Sequence, residues 1–217
     1  MQAEIMGGNS YYSICLDLEN RPCLVVGGGD VAARKVEGLL RARASVTLLS
    51  PQVSPNTKYL IDNEFVKWND SVYQKKFIYG MTLVIAATDN LKVNKSVYED
   101  CVKTGIPVNV VDEPSRCTFI IPAILQRGDI QIAVNTGGAA PLISGKIRDH
   151  ISLSLDDGWE SITALLKELR PRIKNLPPQQ KEKFWNIIRG FTLDDIRKSK
   201  EELKQNLEQI ITAHQKD

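Results

Sequence analysis

Pro22-Cys23-Leu24-Val25-Val26-Gly27-Gly28-Gly29-Asp30-Val31-Ala32 decides the fold. Residues 22–26 form a short apolar, β-branched run of buried-strand length. Three glycines end it. From Asp30 to Ala44, Val31, Val36, Leu39 and Leu40 recur near helical spacing with charged residues between them. Strand, glycine turn and helix give the pattern G-x-G-x-x-A a mechanical meaning. Gly27 permits the tight turn off the strand, Gly29 lets a pyrophosphate approach the backbone, and Ala32 lets the helix pack closely. Unpaired N–H groups at the helix start, aided by the helix dipole, favour an anion there, so Gly27, Gly28, Gly29, Asp30 and Val31 are candidate cofactor-binding residues. A glycine-rich turn without a ligand is the competing reading.

The alternation continues downstream. Ser45 to Leu49 reads as a second strand, stopped by Ser50-Pro51, and Phe65 to Trp68 as a weaker third. Thr82 to Ala87 is apolar on both faces, as a central parallel strand is. Asn94 to Lys103 reads as a helix ended by Thr104-Gly105, and Pro107 to Val111 as a fifth strand. Strands alternating with helices predict an α/β fold, a Rossmann-like parallel sheet with right-handed crossovers. Thr118 to Pro122 and Asp129 to Val134 then look like two strands, antiparallel if paired, with Arg127-Gly128-Asp129 as turn chemistry. A helix from Leu142 to His150 follows. Beyond Asp156 the chain is helical and charged. Trp159, Ile162, Leu165, Leu166 and Leu169 share one face, Pro171 and Pro177-Pro178 punctuate it, Phe184 to Ile188 mark another helix, and Asp194 to His214 the last. Boundaries fall near Pro114 and Ser154, giving segments 1–114, 115–153 and 154–217.

Composition narrows the function. The chain has 217 residues, 42% hydrophobic and 25% charged, with 28 Lys+Arg against 26 Asp+Glu and a net charge of +2. That balance argues against a nucleic-acid partner. No run has the ~18–20 apolar residues of a membrane span, and Met1 to Tyr12 lacks the pattern of a secretion signal. Cys15, Cys23, Cys101 and Cys117 form no C-x-x-C pair, so neither a metal site nor a disulfide framework is expected. Cys15 and Cys23 sit in strand-like apolar runs, and a reduced, cytoplasmic protein follows. Neither His150, at a helix end, nor His214, near the terminus, reads as catalytic.

At the end of the second strand, Ser50, Pro51 and Gln52 stand where an acidic residue would hold the ribose of NAD. Ser50 can hydrogen-bond but carries no charge to repel a 2′-phosphate, and no Arg follows to welcome one; the reading leans to NAD. Thr88-Asp89-Asn90 closes the fourth strand, where Thr88 would line the cofactor cleft; a turn with an N-cap explains the same residues. Asp112 is expected at the carboxyl edge of the sheet, where a carboxylate exchanges a proton while a nicotinamide takes hydride. A turn-forming Asp before Glu-Pro is the plainer explanation of the pattern. Thr136-Gly137-Gly138 and Arg148 suit a substrate carboxylate, or merely a helix entry with exposed basic residues.

Three stretches carry a resemblance: Val25 to Lys35; Val84-Ile85-Ala86-Ala87-Thr88-Asp89-Asn90 with Val93-Asn94; and Val108 to Arg148, with Asn109-Val110-Val111-Asp112, Phe119-Ile120-Ile121-Pro122-Ala123 and Thr136-Gly137-Gly138-Ala139-Ala140-Pro141. Together they resemble the precorrin-2 dehydrogenases and the N-terminal part of siroheme synthases, over residues 10–150. The resemblance implies an NAD-binding Rossmann domain, a small α+β dimerisation region and a helical C-terminal domain. It also implies a homodimer that oxidises the tetrapyrrole precorrin-2 to sirohydrochlorin. Asp112 falls at the family's catalytic carboxylate. Ser50, Pro51 and Gln52 fall where the family meets the adenosine ribose. Thr136 replaces a Ser that some members phosphorylate, which puts that regulation in doubt. Two rivals stand beside this reading: a bifunctional enzyme that also inserts ferrous iron, and an NAD-binding redox sensor. A sensor has no need of the Val108–Arg148 block.

Overall fold

The computed structural model describes residues 11–155, 157–190, 204–205, 207–209 and 211–212. The chain forms two compact units, Met1–Ile121 and Pro122–Asp217.

The first unit is built on β1 (Pro22–Val26), where Cys23, Leu24 and Val25 are completely buried. Burying each Leu or Val contributes about 1.5–3 kcal/mol. α1 (Asp30–Arg41) starts after the glycines, with Asp30 in its first turn and Arg41 in its last, both favourable to the helix dipole. β2 (Ser45–Leu49), α2 (Pro55–Asp62), β3 (Lys67–Asn69), β4 (Leu83–Ala86), α3 (Leu91–Thr104) and β5 (Val108–Val110) follow. All five strands are parallel, in the order β3-β2-β1-β4-β5. Alternate residues of β1 point to opposite faces. Cys23 and Val25 pack with Ala32, Val36 and Leu39 of α1 and Leu60 of α2. Leu24 and Val26 pack with Val97 and Cys101 of α3 and with Ile78. The sheet is therefore covered on both faces, as continuous apolar strands require.

α2 has no counterpart among the elements expected from the apolar periodicity. Its signal is Ser54-Pro55: the Ser54 hydroxyl accepts from the Thr57 N–H at 3.4 Å, and Pro55 occupies the first turn. α3 has Asn90 as N-cap and ends on Gly105, at φ +71°. Cys15 is exposed and lies in no strand, contrary to its strand-like surroundings in sequence.

In the second unit β6 (Ala123–Arg127) pairs antiparallel with β7 (Ile130–Val134) through a two-residue turn at Gly128-Asp129. The first hairpin strand thus lies beyond the expected Thr118–Pro122. Thr118 instead serves the first unit: its N–H donates to the Val108 carbonyl at 2.8 Å, and its hydroxyl accepts from the Val108 N–H at 2.8 Å. α4 (Pro141–Ser154), α5 (Asp157–Lys174) and α6 (Pro178–Gly190) follow. Pro171 lies inside α5 and does not end it. Leu169 and Ile173, one on each side of it, are both buried, and this packing offsets the lost backbone bond. Ile162, Leu165, Leu169, Ile173, Leu176 and Phe184 form a core with Leu207 and Ile211. Most of the anticipated Asp194–His214 helix lies outside the described residues. Among the described residues no helix is long and apolar enough to cross a membrane.

Candidate functional site

The carboxyl ends of β1, β2 and β4 open into a cleft of about 760 Å³. It sits where the strand order reverses, with β2 on one side of β1 and β4 on the other. Open α/β sheets bind ligands at that position. Gly27, Gly28, Gly29, Asp30, Val31, Ser50, Pro51, Gln52 and Thr88 all line it.

The glycine loop is fitted closely to its surroundings. Gly27 has φ +122°, and a Cβ there would stand 2.2 Å from the Ala87 carbonyl oxygen. A Cβ on Gly28 would stand 2.0 Å from the Gln52 carbonyl oxygen. At Gly29 it would meet no protein atom within 4 Å, and no side chain caps α1. The N–H groups of the first helical turn therefore face open space. An uncapped helix start behind a bare backbone fits a pyrophosphate.

Two donors hold the loop: the Gly28 carbonyl accepts from the Ser54 N–H at 2.7 Å and from the Thr57 hydroxyl at 2.8 Å. Ser50 is buried, and its hydroxyl donates to the Gln52 carbonyl at 2.7 Å. Its proton is thus committed to loop structure. The Trp68 indole N–H donates to the Ser50 carbonyl at 3.0 Å. Asp30 accepts from the Asn56 amide at 3.2 Å. The Thr88 hydroxyl donates to Asn94 Oδ1 at 2.7 Å, and the Asn94 amide returns a bond to the Thr88 carbonyl at 2.9 Å. Asn90 caps α3 through the Lys92 and Val93 N–H groups. The turn-and-cap description of Thr88–Asn90 is therefore realised at the cleft wall. The charged residues lining the cleft, Asp30 and Asp89, are both acidic.

Asp112 lies two residues past β5 and is not among the residues lining this cleft. It adopts φ +61°, in a turn closed by the Glu113 N–H donating to the Val110 carbonyl at 3.3 Å. Lys35, on α1, is close enough to feel Asp112 and Cys117. Burial pulls its ammonium below the ordinary lysine value and Arg34 adds to this, while Asp112 and Cys117 oppose it. Glu113 pairs with Arg116.

Thr136, Gly137 and Gly138 share the loop between β7 and α4. Gly137 and Gly138 have φ +67° and +80°. The Thr136 hydroxyl lies 3.0 Å from that of buried Ser144 and accepts from the Ala140 N–H at 3.2 Å. The Gly137 N–H donates to Asn135 Oδ1 at 2.7 Å and the Ala139 N–H to the Thr136 carbonyl at 3.2 Å. Three N–H groups of this loop, those of Gly137, Ala139 and Ala140, are thus spent internally. Arg148 stands about 12 Å along α4, at 1.5 Å per residue. Its Nε and Nη2 bond Asp149 at 2.9 and 2.6 Å.

A family model for NAD(P)-binding domains matches residues 14–123, half of the chain. A second, described as sirohaem biosynthesis protein central, matches residues 127–152. The chain belongs to the NAD(P)-binding siroheme-biosynthesis family. Among its relatives, siroheme synthase of Methylobacillus flagellatus is 36% identical over 204 residues, covering 92% of this chain and 44% of that protein. Siroheme synthase of Methylococcus capsulatus is 37% identical over 177 residues, covering 81% and 37%. The chain spans less than half the length of these relatives. The solved structure of SirC, a precorrin-2 dehydrogenase, superposes with a TM-score of 0.77 at 28% identity, covering 92% of this chain and 98% of that one.

Within the family fold, sequence reasoning missed Thr57, Ser54 and Asn94, which brace the cleft, and Lys35 and Cys117, which surround the Asp112 turn. Ser54 announces itself as a helix cap. Thr57 reaches a carbonyl 29 positions away, and no local pattern encodes that contact.

Proposed function

We propose that the protein dehydrogenates precorrin-2 to sirohydrochlorin with NAD as hydride acceptor. The observation that carries this reading is the similarity to a precorrin-2 dehydrogenase across 92% of the chain, so that both units are shared. The electrostatics of the cleft support NAD over NADP. A 2′-phosphate would enter a cavity whose charged lining residues are both carboxylates, and like charges repel.

Bound NAD supplies the hydride acceptor. The oxidation removes two electrons and two protons from the macrocycle; NAD held at the glycine loop would accept both electrons and one proton as hydride, and the other proton leaves the ring. Gly27, Gly28 and Gly29 give the pyrophosphate its backbone approach, and Ser50, Pro51, Gln52 and Thr88 shape the remaining cleft. Asp112 takes the departing proton or orients the ring carrying it. Gly138 and Arg148 engage peripheral carboxylates of the substrate, with Arg148 exchanging Asp149 for the ligand. Thr136 keeps the loop in place through Ala140 and Ser144.

The working unit is a homodimer. Leu142 and Leu153 of α4 are each 84% exposed, and Ile143, Ile147 and Ile124 of β6 are also exposed. A second copy of this surface would shield them. The location is cytoplasmic: all four thiols are free, which suits a reducing compartment.

An anaerobic absorbance assay with precorrin-2 tests the reading. With NAD, NADH and sirohydrochlorin form together; with NADP the rate is lower. Asp112→Ala lowers turnover about 10²–10⁴-fold while NAD still binds. Binding of NAD without any NADH formation would overturn the dehydrogenase, and undiminished turnover in the variant would remove Asp112 from the mechanism.

A further inference from the structure

The thiol of Cys117 lies at the centre of the turn that carries Asp112. β5 is the edge strand of the sheet, and its outer N–H and C=O groups require partners. Thr118 satisfies Val108 on both sides. Cys117 does the same for Val110: Sγ accepts from the Val110 N–H at 3.3 Å and lies 3.2 Å from the Val110 carbonyl oxygen. It also lies 3.3 Å from the Glu113 carbonyl oxygen and 3.5 Å from the Asn109 amide nitrogen. One sulfur therefore touches the residue before the turn, the residue after it, and the strand leading in.

Asp112 needs such bracing. Its φ of +61° is uncommon for a residue other than glycine. Such conformations persist where surrounding contacts over-determine them. Burial pushes the thiol above the ordinary cysteine value; Glu113 adds to this, and the Val110 bond and Lys35 oppose it. The sulfur thus keeps its proton and can donate. Lys35 feels the charge of Asp112 and the thiol of Cys117, so a displaced turn would also change that interaction.

We propose that Cys117 is the positioning residue of Asp112: its thiol takes the place of a sixth strand at the tip of β5 and fixes the turn that presents the carboxylate. The inference rests on the dehydrogenase reading, in which Asp112 handles the proton.

A double-mutant cycle on the full chain tests it, using Cys117→Ala, Asp112→Asn and the combination, with Cys117→Ser as the conservative variant. Cys117→Ala lowers kcat about tenfold, the equivalent of one lost hydrogen bond with its buried partner orphaned. The KM for NAD stays within about twofold, because the cleft is untouched. Serine keeps a donor and acceptor and recovers part of the rate. If alanine prevents folding, the cycle is run with serine. In the Asp112→Asn background the cysteine substitution costs nothing further, since residues acting through one group are non-additive. Independent, multiplicative losses would overturn the inference, as would a wild-type kcat in Cys117→Ala. A wild-type rate in Asp112→Asn would instead refute the role of Asp112 itself, and an inactive wild type would refute the dehydrogenase reading.

Discussion

Gly28→Ala separates a loop chosen for close packing from one that is merely flexible. The added methyl would sit 2.0 Å from the Gln52 carbonyl oxygen and 2.8 Å from the Ser50 hydroxyl. Ordinary contact begins near 3.4 Å, so the two backbones must part by about 1.4 Å. That displacement cannot spare the Ser50–Gln52 bond of 2.7 Å or the Ser54–Gly28 bond of 2.7 Å. Overpacking costs about 1–3 kcal/mol, and each lost bond about 0.5–1.5 kcal/mol. The sum is about 2–6 kcal/mol, shared between folding and NAD binding because the displaced segment lines the cleft. Urea unfolding with and without NAD, together with calorimetric titration, measures both shares. Gly29→Ala is the control: its methyl meets no protein atom within 4 Å. It costs about 1 kcal/mol of stability through the cap position, yet it weakens NAD binding by occupying the approach of the pyrophosphate. Gly28→Ala with stability within about 0.5 kcal/mol of wild type and unchanged NAD affinity would refute the reasoning. So would full NAD affinity in Gly29→Ala.

Thr57→Val removes a fully buried donor to the Gly28 carbonyl and should cost about 1 kcal/mol of stability; a raised Kd for NAD in titration would accompany it. Native alkylation followed by mass spectrometry should label Cys15 first. Cys23 and Cys101, whose thiols burial pushes up to about 11 and about 12, should resist labelling until the chain unfolds. Leu142→Glu should shift sedimentation from dimer to monomer while leaving the NAD affinity of the first unit intact. A dimer that persists would place the interface elsewhere.

The legible parts of this molecule are local. Cys23 to Ala32 declares strand, turn and helix within a single stretch, and the cleft forms around it. Thr118-Phe119-Ile120-Ile121 has strand-like composition, yet its one backbone partner among the described residues, Val108, is bonded by Thr118 alone. Composition reports a β-compatible surface; pairing depends on what lies opposite. Ser54-Pro55 is a local helix start, a hydroxyl cap followed by proline in the first turn. Asp112 was readable only as a position at a sheet edge. The sulfur that braces its turn and the threonine that anchors the glycine loop are tertiary contacts, and no periodicity marks them.

The central place of β1 carries a cost during synthesis. Leu24 pairs with Thr47 on one side and with Val84 on the other. The first partner emerges soon after it; the second follows 60 residues later. At about 5–20 residues per second, one flank of this largely buried strand waits about 3–12 s for its neighbour. During that interval the nascent chain holds a half-built sheet with an open, greasy margin. Translation speed through residues 50–86 therefore sets how long this protein is exposed to aggregation, and a pause there would recruit chaperones before the cofactor cleft exists.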